Sequence, residues 1–293
     1  MIEMKREDKE VLDLVHEINF DMLVTVDDIC KKHNITYFLC YGALIGSQRH
    51  KDFIPWDNDV DLVITREEFD KLMPYLREEL DPEKYELVMW NDYGDGHYFD
   101  MAPHVVYKKC DIKGFSDEYN AFYKNKANHI ALDFFFLDRI PDTFGGKMTI
   151  YRLMATYAML NGHRYSKDMS GEYKNPVMKF GLWFLRNLGK LSTMEKLCAR
   201  CDRLAQKYKD DPNAKTLRVT NESVTSFGYH FKDEWFDGIS DAPIRGRMLP
   251  GPKEIDKVLT EMYGEYMTPP PESGQVPHIF NRVLSADLFE FTD

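Results

Sequence analysis

Tyr41-Gly-Ala-Leu-Ile-Gly-Ser-Gln-Arg-His-Lys-Asp-Phe-Ile-Pro-Trp-Asp-Asn-Asp-Val-Asp-Leu62 is the stretch on which the fold reading turns. It runs on into Asp59-Val-Asp-Leu-Val-Ile64, where charged residues alternate with apolar ones. A period of two predicts a strand, with Asp59 and Asp61 projecting from one face and Val60 and Leu62 entering the core. Upstream, Thr36-Tyr-Phe-Leu-Cys-Tyr41 has the aromatic and apolar content of a buried strand. Gly42 breaks that run, and Ala43 to Arg49 opens a short helix. Thr65 and Glu68 then form a capping-box pair for a helix carrying Phe69, Leu72, Met73 and Leu76, with Pro74 as an irregularity inside it.

The pattern extends in both directions. Val11, Leu14, Val15, Ile18, Met22, Val26 and Ile29 recur at steps of three and four, which predicts an amphipathic first helix. Tyr85 to Trp90, His104 to Tyr107 and Ile130 to Leu137 are further strand candidates. Helices alternating with strands, followed by several strands in a row, indicate an α+β fold. Its expected form is a mixed β-sheet core flanked by helices, with a mainly helical second half. A single domain over 1–293 is expected, its core at about 30–145 and a helical elaboration at about 146–293. Thr268 to Glu272 reads as a stiff extended segment, because prolines favour polyproline geometry.

Bulk composition removes several functional classes. The 293 residues carry 38 Lys+Arg against 49 Asp+Glu, a net charge of -11, which argues against a nucleic-acid partner. Apolar residues at 43% are enough for a real core. The first residues lack the apolar segment of a signal peptide, and no run approaches the ~20 apolar residues a spanning helix needs. Five cysteines, an odd number, point to reduced thiols and a cytoplasmic address. Cys198 and Cys201 form a CxxC without a second ligand pair and are read as ordinary helix residues.

The chemistry is expected around the acidic strand. Paired carboxylates at Asp59 and Asp61 need a compensating cation, and hard oxygen ligands suit Mg²⁺ or Mn²⁺ with positions left open for phosphate. Asp57 shares their parity. Asp133, flanked by Leu132 and three consecutive phenylalanines, is a natural third ligand, since an unpaired buried charge is costly. A buried salt bridge is the competing reading for Asp133, and an exposed acidic strand edge is the competing reading for the pair. Gly42 precedes a helix start whose N–H groups can hold a phosphate. Ser47, Arg49, His50 and Lys51 add a hydroxyl and three cations as donor phosphate contacts.

The stretch from Tyr41 to Leu62 resembles the signature of the LicD family of phosphotransferases, which belongs to the nucleotidyltransferase-fold superfamily. The resemblance continues at Leu132-Asp-Phe-Phe-Phe-Leu-Asp138, Ile140-Pro-Asp142, Leu249-Pro-Gly-Pro, Leu259 to Met267 and Pro269-Pro270. It implies transfer of a phospho-alcohol, commonly phosphocholine, from a CDP-linked donor onto a hydroxyl of a glycan or lipid-linked glycan. Teichoic acid and lipopolysaccharide precursors are acceptors of that kind. Asp59 and Asp61 match the family's metal-binding pair and Asp133 the third superfamily carboxylate, with a further role for Asp133 as general base. Ala43 stands where the family often has Thr or Ser, and Asn58 replaces a frequent Asp. Two other readings stay open: nucleotidyl transfer to a small molecule or protein, and a catalytically silent binding relative.

Two features lie outside these blocks. Trp90, Tyr93, Tyr98 and Phe99 are candidates for an aromatic cage around a choline cation, against core packing as the plainer account. Pro176 to Lys190 is strongly apolar, with Lys179, Arg186 and Lys190 interspersed, and is read either as a peripheral membrane contact or as a buried core helix.

Overall fold

The computed structural model describes residues 6–94, 96–113, 115–165, 175–222, 226–275, 278–279, 282–283 and 289–292. Helix α1 (Arg6–His33) leads into a two-residue strand β1 (Phe38–Leu39) and helix α2 (Tyr41–Arg49). Strand β2 (Val60–Ile64), helix α3 (Arg66–Glu79), β3 (Tyr85–Val88), β4 (His104–Ile112), α4 (Asp117–Phe122) and β5 (His129–Arg139) complete the core. The main sheet runs β1-β2-β5-β4-β12, where β12 is Phe289–Phe291, and β3 also pairs with β4. Strands β2 and β5 are parallel, and β4 is antiparallel to β5. The sheet is therefore mixed, as the order of elements implies.

Local chemistry accounts for the boundaries. The Thr65 hydroxyl accepts from the Glu68 N–H and starts α3, a cap that contributes about 1 kcal/mol. The Glu68 carboxylate does not close the box; it accepts the Thr36 N–H instead, tying α3 to the entry of β1. The strand expected over 36–41 shortens to two residues because Tyr41 already begins α2, at a φ of 46°. In α1 the buried face runs through Leu12, Val15, Met22, Leu23 and Val26. Leu14 falls beyond its margin and is 42% exposed.

The second half is helical through α5 (Phe144–Leu160), α6 (Pro176–Gly189) and α7 (Met194–Ala205), then returns to short strands. Of these, β6 (Thr216–Val219) extends β5 at Leu137 to Arg139 and pairs with β7 (Phe231–Lys232). A separate hairpin joins β8 (Ile239–Ile244) to β9 (Arg247–Pro252), followed by α8 (Ile255–Tyr263). Strands β10 (His278–Ile279) and β11 (Arg282–Val283) form a second small hairpin. Such short strands carry little pattern of their own; β6 joins the main sheet through long-range hydrogen bonds to β5, whereas β8–β9 and β10–β11 pair only with each other. Cys198 and Cys201 are buried free thiols on the packed face of α7, facing a cluster that includes Leu153 and Tyr157.

The stretch from Leu132 to Asp142 is partly scaffold. Asp138 at the end of β5 is buried and accepts both from Arg66 and from Thr220, while Arg66 also reaches Asp202 at 2.8 Å. Asp142 pairs with the buried Arg218 at 2.5 Å. These contacts fasten α3, α7 and β6 to the strand that carries Asp133.

Candidate active site

Strand register brings the carboxylates together. Asp61 lies directly beside Asp133 in the parallel β2–β5 pair, so their side chains share one face on neighbouring strands. Asp59 sits one residue before β2 on the same parity, and the Asp57 and Asp59 carboxylates are within hydrogen-bonding reach of each other. Burial raises the pKa of Asp57, Asp59 and Asp61 above the usual carboxylate range. Like charges add to this: Asp59 on Asp57, Asp133 on Asp59, and both Asp59 and Asp133 on Asp61. Asp59 nevertheless presents surface to solvent. That exposed surface leaves Asp59 open to a ligand.

The loop bearing Asp57 to Asp59 is held from two sides. His16 of α1 contacts the Asp57 carbonyl at 2.6 Å, and Asn19 donates to the Asn58 carbonyl at 3.1 Å. Arg245, at the turn of the β8–β9 hairpin, binds Asp52 and Glu17, and its N–H donates to the Lys51 carbonyl. The polar residues inside the first helix thus have a task that its apolar stripe conceals. They pin an irregular acidic loop to a regular element.

Helix α2 points its N-terminus at this cluster. Its N-cap, Cys40, makes no side-chain cap bond, and the Cys40 N–H donates to the Asp61 carbonyl. Gly42 lies so close to Asp57 that a Cβ there would stand 1.8 Å from the carboxylate Oδ2. Tyr41, at positive φ, directs its hydroxyl to the Glu222 carboxylate. A bulky residue in left-handed geometry stores strain that the surroundings must hold, a feature concentrated at functional sites.

The remaining site candidates separate by position. Arg49 lies over Trp56, its guanidinium 6.0 Å from the ring, and donates to the Tyr266 carbonyl. Burial lowers its pKa while Asp57 opposes that shift, so the guanidinium is near the cluster, and its buried Nε has no hydrogen-bond partner. His50 and Lys51 are exposed, and His50 meets the Trp56 ring edge-on. Ser47 is fully buried, its hydroxyl accepting from Gln48. Arg49 therefore lies beside Asp57, His50 and Lys51 are on the exposed surface that follows α2, and Ser47 is part of the packed face of α2.

Sequence reasoning missed His104 and Asp100. His104 is paired with Asp133 across the antiparallel β4–β5 register. Its Nδ1 is 2.6 Å from Asp133 and its Nε2 is 2.9 Å from Asp100. Two carboxylates facing both ring nitrogens require two N–H donors, hence an imidazolium. Burial works against that charge, but Asp100 and Asp133 outweigh it and hold the pKa well above the ordinary imidazole value. The signal available was weak, a histidine opening an apolar strand. Tyr93 and Phe99 flank the His104 ring at 6.3 and 6.2 Å. Tyr93 and Tyr98 are buried; Tyr93 packs against His104, whereas Tyr98 belongs to a cluster with Met101 and Ile140.

The donors of the cluster are carboxylate oxygens, the type a hard divalent cation takes, with Arg49 and His104 as nearby positive groups. Among the described residues, no group of three or more His, Cys, Asp or Glu side chains is placed to hold a metal ion. The orphaned Arg49 Nε and the uncapped end of α2 fit an anionic phosphate. An open cavity of ≈ 1320 Å³ lies at the far end of the strands, by Arg66, Asp138 and Lys232, and none of these site carboxylates lines it. Charge, not cavity size, marks the site.

The fold is a mixed α/β one, with paired carboxylates beside a helix N-terminus. Residues 34–149 match the family model LicD/FKTN/FKRP, nucleotidyltransferase domain. The chain is also 26% identical over 262 residues to the lipopolysaccharide cholinephosphotransferase LicD of Haemophilus influenzae, covering 85% of this chain and 89% of the relative.

Proposed function

We propose that the protein is a LicD-type phosphotransferase that moves phosphocholine from CDP-choline onto a hydroxyl of lipopolysaccharide or a related cell-surface glycan precursor. The observation that carries the reading is the Asp61–Asp133 register, with Asp59 and Asp57 beside it at the N-terminus of α2. In the transfer, the acceptor hydroxyl oxygen forms a bond to the phosphocholine phosphorus, the bond to CMP breaks, and the hydroxyl proton is released. Asp59, Asp61 and Asp133 would hold Mg²⁺ or Mn²⁺, which supplies neutralisation of charge on the phosphate oxygens.

The chain's own residues do the rest. Arg49 offers its unpartnered Nε to a donor phosphate oxygen, and the α2 N-terminus favours negative charge at the same place. His104 holds one carboxylate oxygen of Asp133. Asp133 acts as a ligand and orienting group. Incubating the protein with CDP-choline and lipopolysaccharide, with and without EDTA, tests the reading. CMP and phosphocholine-bearing glycan are the expected products; pyrophosphate release from a nucleoside triphosphate with no CMP from CDP-choline would replace it with nucleotidyl transfer.

A further inference from the structure

Helix α6 is docked in an unusual way. Gly189 packs so tightly on α5 that a Cβ there would stand 2.0 Å from the Met159 carbonyl oxygen. That close approach, together with Gly162 against the Arg186 backbone, fixes which side of α6 faces the protein. The opposite side carries Val177, Phe180, Trp183, Phe184 and Leu188, at 78%, 66%, 59%, 52% and 39% exposure. Residues 175–180 are all exposed, so the N-terminal turns of the helix stand clear of the body. Phe180 and Trp183 stack with ring centroids 5.8 Å apart, forming one apolar surface. Leu191, just beyond the helix, is 84% exposed.

Charge decides what this surface fits. In a chain of net charge -11, residues 144–160 and 176–190 contain Lys147, Arg152, Lys179, Arg186 and Lys190 and no Asp or Glu. Helix α5 adds exposed Phe144, Tyr151 and Met154 along one side. Exposed aromatics flanked by cations, with acid excluded, are the composition of a helix lying in the interface of an anionic bilayer. No helix among the described residues is long and apolar enough to cross one. The same helices are tied to the site: the Tyr98 N–H donates to His163, just after α5, and Asp100 two residues on holds His104.

We propose that α6, with the adjoining face of α5, seats the protein on an anionic phospholipid surface by inserting Phe180, Trp183 and Phe184 between headgroups. The surface stands on exposure and charge alone, and its link to an amphiphilic acceptor rests on the transferase reading above. Full-length protein is sedimented with vesicles of phosphatidylcholine alone or with 30% phosphatidylglycerol, without substrate. Binding only to the anionic vesicles, a blue shift of Trp183 emission absent from Trp183→Phe, and at least tenfold weaker binding of the Phe180→Glu/Trp183→Glu variant are expected. Lys179→Glu/Lys190→Glu should weaken anionic-vesicle binding while leaving the circular-dichroism melt unchanged. Absence of vesicle binding by the wild type overturns the proposal. So does a concentration-dependent dimer that the Phe180→Glu/Trp183→Glu variant abolishes while vesicles stay unbound, which would make the face an interface between copies. A protein that binds vesicles but releases no CMP would refute the transferase reading and leave this one standing.

Discussion

Asp61→Asn should make the metal-free protein more stable and the enzyme inactive. Asp61 stands beside Asp133 on an adjacent parallel strand, with Asp59 and Asp57 close by. Charges on neighbouring strands, about 4.8 Å apart, repel by roughly 3 kcal/mol at an effective dielectric of 20. Proton uptake relieves part of that, so the amide is expected to stabilise the metal-free form by about 1–3 kcal/mol, or some 2–4 °C of melting temperature per kcal/mol. Magnesium should reverse the order. At about a hundred times its dissociation constant, a cation bound only to the folded state adds about 2.7 kcal/mol. The wild type should gain that increment and the variant little of it. Differential scanning calorimetry in EDTA and in MgCl₂, beside a CMP-release assay, reads both effects. A variant melting below wild type in EDTA, or gaining as much from Mg²⁺, would refute the assignment of this strand.

Other substitutions separate site from scaffold. Gly42→Ala places a methyl group on the Asp57 carboxylate and should cost turnover more than stability. Gly46→Ala, whose Cβ would stand 2.5 Å from the Asp52 backbone carbonyl, should cost about 1–3 kcal/mol of stability, measured by urea denaturation. Arg66→Met strands the buried Asp138 and should destabilise by about 3–5 kcal/mol; a loss under 1 kcal/mol would show that the pair is not structural. Burial pushes the Asp142 pKa up, but His230 and Arg218 outweigh it and leave it below 3.8. Its ionised form therefore supports the fold fully above pH 3.8 and loses that effect as pH falls through the lower folded value. The urea-midpoint gap between wild type and Asp142→Asn should accordingly narrow from pH 5 to pH 3, and an unchanged gap would count against the pairing.

The acidic strand, its parity and the helix after Thr65 were legible because period-two alternation and capping are local properties. So, in outline, was the nearness of Arg49 to the acidic strand. Ser47 looked equally available, yet only the rotation of α2 decides that its hydroxyl faces inward. His104 was invisible as a functional residue because its role depends on the β4–β5 register and on Asp100 arriving from a loop. Glu222 reaches Tyr41 from 181 residues away, a contact that no spacing encodes.

The apolar run at 176–190 left two readings open, buried helix or membrane contact. Hydrophobicity states that a surface will seek cover without stating where the cover comes from. Gly189, by allowing α6 to approach α5 on one side only, leaves the aromatic side uncovered. The sequence by itself determined that two carboxylates share a strand face and that cations precede them, since side-chain direction along a strand follows from covalent geometry. Only the tertiary structure decided which carboxylate stands opposite Asp61, what holds it there, and which apolar face stays in solvent. Those outcomes depend on registers and close approaches between segments far apart in the chain.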